Sequence, residues 1–109
     1  YAPLGDFGLL CKAYTAAGAR HIPVKVGNII SVDRFYDDEI DNDKLREYGI
    51  LAVEMETAAL YTLGAKYGAK CLGIFTVSDH LLTGARASAE ARQTGFNDMV
   101  TVALETAIQ

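Results

Sequence analysis

Three short stretches hold the residues best suited to chemistry. Glu54-Met55-Glu56 sets two carboxylates two positions apart, directly after the apolar run Ile50-Leu51-Ala52-Val53. If strand geometry persists, side chains at i and i+2 share a side, so both carboxylates would face one way. Two close carboxylates repel unless neighbours or a ligand satisfy them. A carboxylate is acceptor-only, which suits the vicinal hydroxyls of a sugar. The same pair would equally serve the N-terminus of a following helix, where negative charge is favoured. Ser78-Asp79-His80 closes a second apolar run, Cys71 to Val77. Asp79, desolvated at such a strand end, would have a raised pKa and act as a proton donor. It would otherwise be an ordinary turn cap. Arg92 would pair with Asp79 and set its ionisation, provided the intervening loop folds back. Phe35-Tyr36 is an aromatic pair in a polar loop, able either to stack on a flat ligand or to pin the loop to the core.

Other chemistries lack their residues. The alternating acids of Asp37-Asp38-Glu39-Ile40-Asp41-Asn42-Asp43 have neither the sixth-position Gly nor the twelfth-position Glu of a calcium loop. That stretch reads as a solvated loop running into a helix. His21 and His80 stand apart from other candidate metal ligands and read as hydrogen-bonded structural histidines. Gly27-Asn28 does not extend to GxGxxG or to a phosphate loop. Cys11 and Cys71, without CxxC spacing, support neither a disulfide framework nor a zinc site, and are expected as reduced thiols of a cytoplasmic protein.

The elements that must position these residues follow from caps and periodicity. Asp6 would cap a helix over about 7–17, with Phe7, Leu10, Cys11 and Tyr14 on one face and Gly18 as a left-handed C-terminal cap. Ile22 to Ile30 reads as a strand with an irregularity at Gly27. A short helix over about 42–48 ends at Gly49. The run 50–53 reads as a strand covered on both faces, followed by an Ala- and Leu-rich helix to about Lys66 with Gly68 past its end. Cys71 to Val77 would be a third strand. Ser88 would cap a last helix whose apolar stripe is Phe96, Met99 or Val100, Ala103 and Ala107. The order α-β-α-β-α-β-α predicts an α/β fold, part of a mixed, mostly parallel twisted sheet flanked by helices. Three strands make a small sheet, so further strands from elsewhere are expected. In such sheets ligands bind beyond the carboxyl ends of the strands, where Glu54, Glu56 and Asp79 fall.

Composition sets the outer bounds. The chain has 109 residues, half of them hydrophobic and 22% charged, which is globular rather than disordered or fibrous. Fourteen acidic against 10 basic side chains give a net charge of -4, which argues against a nucleic-acid or anionic-membrane partner. No apolar run approaches the roughly 20 residues of a membrane span, and no leader is expected. The first residue is Tyr1 rather than Met, so processing, cleavage or a partial sequence is expected.

AVEMETAALY (Ala52 to Tyr61), TVSDH (Thr76 to His80) and RQTGFNDM (Arg92 to Met99) occur in this order. Together they resemble the C-terminal half of the bacterial, hexameric type of purine nucleoside phosphorylase. VGN followed by RFYDD (Arg34 to Asp38) is similar to that family's base-binding loop. The resemblance runs from about Val24 to the end and more loosely back to Tyr1. VEME is shared across the wider nucleoside phosphorylase superfamily, whereas TVSDH with RQTxFNDM is more specific to the purine branch.

The resemblance implies roles by position. Phe35 would stack on or edge against the purine, with Tyr36 nearby. Val53 would line the base pocket, Met55 would pack on the ribose, and Ser78 would flank the base. Glu56 would accept hydrogen bonds from the ribose 2′- and 3′-hydroxyls, with Glu54 shaping and supporting the same pocket. Asp79 would be the general acid toward purine N7, organised by Arg92. No cofactor is implied, phosphate being a co-substrate. Phosphate would be held by a glycine-rich turn and arginines of an N-terminal half, and by an arginine and a histidine of a neighbouring subunit, all outside these residues. The chain would then be the C-terminal part of a single domain, in a homo-oligomer, a hexamer built as a trimer of dimers. The expected activity is phosphorolysis of purine ribo- or deoxyribonucleosides in purine salvage. The alternatives are a methylthioadenosine or adenosylhomocysteine nucleosidase, and a non-catalytic fragment without a phosphate site. Uridine phosphorylase is disfavoured, because no pyrimidine-reading Gln and Arg pattern lies near Phe35.

Overall fold

The structure, a computed structural model, describes residues 1–81 and 83–108. Helix α1 spans Phe7–Ala19, and the Asp6 carboxylate accepts the Leu9 N–H at 2.9 Å, as a Ser, Asp or Asn at that position should. The helix runs through Gly18, so the left-handed residue is not Gly18 but His21, at φ 57. The His21 N–H reaches the Gly18 carbonyl (3.1 Å) and the Ile22 N–H reaches the Ala17 carbonyl (2.9 Å). This pair of bonds is a Schellman closure, and it holds a non-glycine residue in a conformation that its Cβ disfavours.

Strands β1 (Asn28–Ser31) and β2 (Ile50–Glu54) pair in parallel, with Ile29 opposite Ala52, Ile30 opposite Val53 and Ser31 opposite Glu54. Asn28 faces Ile50, so Leu51 is an extra residue and the ladder is irregular between Asn28 and Ile29. Gly27 matters here: a Cβ on it would lie 2.7 Å from Leu51 Cδ1. Between the strands, Asp41 caps the short helix α2 (Asn42–Glu47), accepting from the Lys44 N–H at 3.0 Å. Helix α3 (Thr57–Tyr67) follows β2 and ends at Gly68 in the left-handed conformation. Helix α4 (Ala89–Ile108) starts under Ser88, whose hydroxyl accepts the Ala91 N–H at 3.0 Å.

Of the three expected strands, the first is shortened to its C-terminal part and the third is absent among the described residues. Residues 22–26 form no strand, with Val24 and Val26 exposed. Cys71 to Val77 pairs with neither strand, and a strand exists only through its ladder. The Cys71 carbonyl accepts from Asp6 N–H (2.8 Å), the Gly73 N–H donates to the Tyr61 hydroxyl (2.9 Å), and the Thr76 hydroxyl donates to the Gly95 carbonyl (2.9 Å). The architecture is therefore α/β with a two-stranded parallel sheet flanked by helices.

The helix faces also differ from the periodicity reading. Phe7, Cys11 and Tyr14 are exposed, and α1 buries Ala16 and Ala17 against Val102 of α4, with Ala13, Ile22 and Ile74 packed around them. Small side chains let the two helix axes approach closely. Along α4 the buried residues are Val102 and Thr106, whereas Phe96, Val100 and Ala107 are exposed. Arg20 closes the same pair of helices by donating from Nε and Nη2 to the Glu105 carboxylate. The covered strand β2 is also less enclosed than expected, since Leu51 is exposed.

Candidate active site

The carboxyl ends of β1 and β2 meet the N-terminus of α3, and one carboxylate binds the three together. Glu54 Oε2 accepts the Glu56 N–H (2.8 Å), the Thr57 N–H (2.7 Å) and the Thr57 hydroxyl (2.7 Å). Glu54 Oε1 accepts from the hydroxyl of Ser31, which in turn accepts the Ala58 N–H at 2.9 Å. Three N–H groups at the start of α3 are thus satisfied from the strands rather than from the helix's own cap position. Burial pushes the Glu54 carboxyl up, but the bonds from Ser31, Thr57 and the two backbone amides outweigh it, and its pKa lies below the ordinary carboxylate value. Glu56 occupies the cap position of α3 and its side chain makes no capping bond. The two glutamates therefore divide the alternatives: Glu54 serves the helix, and the exposed Glu56 carboxylate does not.

The second wall of the site is the segment leading to Asp79. Beyond it the chain folds back: the Ala87 N–H reaches the Ser78 carbonyl (2.8 Å), the His80 N–H reaches the Ala85 carbonyl (2.7 Å), and Asp79 bridges Arg86 in antiparallel fashion. That return brings α4 within reach, and Arg92 Nη2 lies 3.4 Å from Asp79 Oδ1. Both side chains remain open to solvent, so the pair tolerates rearrangement around a ligand. His80 Nδ1 accepts the Thr83 N–H at 3.2 Å, the structural role expected for it.

Between these walls lies a cleft of about 310 Å³. It is lined by Phe35, Val53, Glu54, Ser78 and Asp79, together with Phe75 and Arg46. Apolar walls with a few convergent polar groups at the strand ends are the features of a small-molecule site. Tyr36, Met55, Glu56 and Arg92 lie outside its lining. Tyr36 is 85% exposed and meets Phe35 edge-on, with ring centroids 5.1 Å apart at 77°. The Phe35 loop is held by Arg34, which pairs with Asp37 at 2.9 Å and with Glu39 at 3.6 Å. Among the described residues no group of three or more His, Cys, Asp or Glu is arranged to hold a metal ion. No helix among them is long and apolar enough to cross a membrane.

Sequence reasoning missed Ser31, Thr57, Arg46 and Phe75. Ser31 carries one usable signal, a hydroxyl at the end of a strand whose neighbour ends in Glu. That signal becomes visible only once the pairing of strands 23 positions apart is known.

Comparison with known proteins agrees with the geometry. The family model of the Phosphorylase superfamily matches residues 1–109. A protein of Listeria welshimeri named purine nucleoside phosphorylase DeoD-type is 57% identical over 109 residues, all of this chain and 47% of the relative. A protein of the same name from Latilactobacillus sakei is 57% identical over 108 residues, 99% of this chain and 46% of the relative. One from Bacillus velezensis is 56% identical over 106 residues, 97% of this chain and 46% of the relative. The chain spans about half the length of the curated relatives it matches. A match along its entire length, over a parallel sheet whose carboxyl ends open on a polar-rimmed cleft, makes this chain a member of the phosphorylase superfamily.

Proposed function

We propose that this chain carries the nucleoside half of a purine nucleoside phosphorylase active site, as the C-terminal part of a single domain. The complete protein converts a purine ribo- or deoxyribonucleoside and phosphate to the free base and the pentose 1-phosphate. The observation that carries this reading is the Asp79–Arg92 pair at 3.4 Å, at a cleft shared by Asp79, Phe35, Val53 and Ser78. The names of the relatives, at 57% identity over the whole chain, support the same reading.

In this reading Phe35 contacts the purine face, with Tyr36 at its edge, and Val53 and Ser78 flank the base. Met55 packs on the ribose, and Glu56 accepts from its 2′- and 3′-hydroxyls. Glu54 shapes the pocket from behind. A phosphate oxygen attacks C1′ as the C1′–N9 bond breaks, and the bonding pair leaves with the base. The departing purine gains negative charge, and Asp79 delivers a proton to N7, the kind of positioned transfer worth about 10²–10⁴-fold. Arg92 holds Asp79 in place. Phosphate is the co-substrate and no cofactor takes part. The complete protein works as a homo-oligomer, a hexamer, in cytoplasmic purine salvage. Base release from inosine by the full-length protein, measured with and without phosphate, tests the reading. Phosphate-dependent release of hypoxanthine with ribose 1-phosphate is expected. Phosphate-independent release of free ribose would assign a nucleosidase instead.

A further inference from the structure

The cluster at the head of α3 has a consequence for substrate recognition, which rests on the nucleoside-binding reading above. A carboxylate offers about four acceptor positions, and Glu54 already takes four donors: one hydroxyl on Oε1, and two amides and a hydroxyl on Oε2. Oε2 is thus fully taken, and Oε1 is committed to Ser31. One of those donors is the backbone N–H of Glu56 itself, so the position of Glu56 is fixed through Glu54. Glu54 is fixed in turn by Ser31, whose hydroxyl is oriented by accepting the Ala58 N–H. Because strand residues do the capping, the Glu56 side chain is released from the role its place in the helix would otherwise give it.

We infer that Ser31 is a positioning residue for ribose recognition: its hydroxyl, held between Glu54 and the Ala58 N–H, locks Glu54 as the cap of α3 and so aims Glu56 at the sugar hydroxyls. Without the Ser31 hydroxyl, Oε1 of Glu54 and the Ala58 N–H both lose their partner, and Glu54 is held through Oε2 alone, with its other oxygen unrestrained beside the cleft that it lines. The effect falls on the sugar, because no atom of Ser31 borders the cleft where the base is placed.

The test uses the full-length protein with Ser31→Ala and Ser31→Thr, and compares a purine ribonucleoside with the 2′,3′-dideoxynucleoside of the same base. Ser31→Ala should raise KM for the ribonucleoside by about tenfold, the size of losing one half-buried hydrogen bond, and leave the dideoxy substrate within about twofold. Ser31→Thr keeps the hydroxyl and should restore the ribonucleoside KM. Equal changes on both substrates, or no rescue by Thr, would overturn the positioning role. Should Ser31→Ala fail to fold, carboxylate carbon NMR of the wild-type protein decides: ribonucleoside binding should move the Glu56 signal and leave that of Glu54 in place. Movement of the Glu54 signal instead would overturn the inference. A wild-type protein that binds no purine nucleoside would overturn the nucleoside reading itself, whereas intact binding with unchanged Ser31→Ala selectivity would overturn only the role of Ser31.

Discussion

Ser31 and Glu54 are parallel-strand partners at the carboxyl ends of β1 and β2, and the serine hydroxyl donates to the glutamate that caps α3. One side chain thereby ties both strands to the helix that follows them. The arrangement explains why a carboxylate is tolerated at the end of an apolar strand: it is desolvated, but every donor around it favours its charged form.

That balance predicts a pH dependence. The folded pKa of Glu54 is lowered from 4.5, so its contribution to stability is fully present above the unfolded value and is lost as pH falls through the folded one. Glu54→Gln should therefore destabilise the full-length protein at pH 7, by urea midpoint. The gap from wild type should narrow below about pH 4.5. A gap of constant size down to pH 3 would contradict the hydrogen-bond assignment.

The end of α1 predicts a gain. His21 sits at φ 57, which a Cβ disfavours and glycine does not. His21→Gly should stabilise the protein by about 0.5–1 kcal/mol, after allowing for the greater unfolded-state freedom of glycine. Thermal or urea denaturation reads this directly, and a loss of stability would show that the imidazole has a role its exposure does not suggest.

Neighbouring small residues on the same helix predict opposite effects. Ala17 is fully buried against α4, so Ala17→Leu should cost about 1–3 kcal/mol by overpacking. A Cβ on Gly18 would meet nothing within 4 Å, so Gly18→Ala should add about 0.5–1 kcal/mol through helix propensity. Measured together, the two variants test which face of α1 packs.

Much of the local structure was legible because caps act locally. Asp6, Asp41 and Ser88 each accept the amide three residues on, and the helices after Asp6 and Ser88 begin where those caps predict. What was not legible depends on a partner. Cys71 to Val77 has the composition of a buried strand, yet its groups bond to Asp6, Tyr61 and Gly95, and composition does not name a ladder. The stripe Phe7, Leu10, Cys11, Tyr14 is the most apolar on α1, but the contact with α4 runs along Ala13, Ala16 and Ala17, where two helices can approach closely. At the cleft, Phe35, Val53, Glu54, Ser78 and Asp79 could be named from types and motifs. Ser31 could not, since its importance lies in a pairing across 23 positions.

Arg92 separates activity from stability. Its pair with Asp79 is long and solvent-exposed, so Arg92→Ala should shift the unfolding midpoint little, by about 0–1 kcal/mol. If Arg92 organises the general acid, the same variant should lower kcat and displace the pH profile of turnover. A large stability loss with an unchanged pH profile would reassign Arg92 to the fold.

The central claim is that Asp79 protonates the departing purine, and the sharpest measurement is kcat of Asp79→Asn in the full-length protein on two nucleosides differing in leaving-group ability. An ordinary purine needs the proton, so its kcat should fall by about 10²–10⁴-fold. A nucleoside whose base is already a good leaving group, for example one carrying a fixed positive charge at N7, should lose far less. Equal losses on the two substrates would contradict proton donation by Asp79.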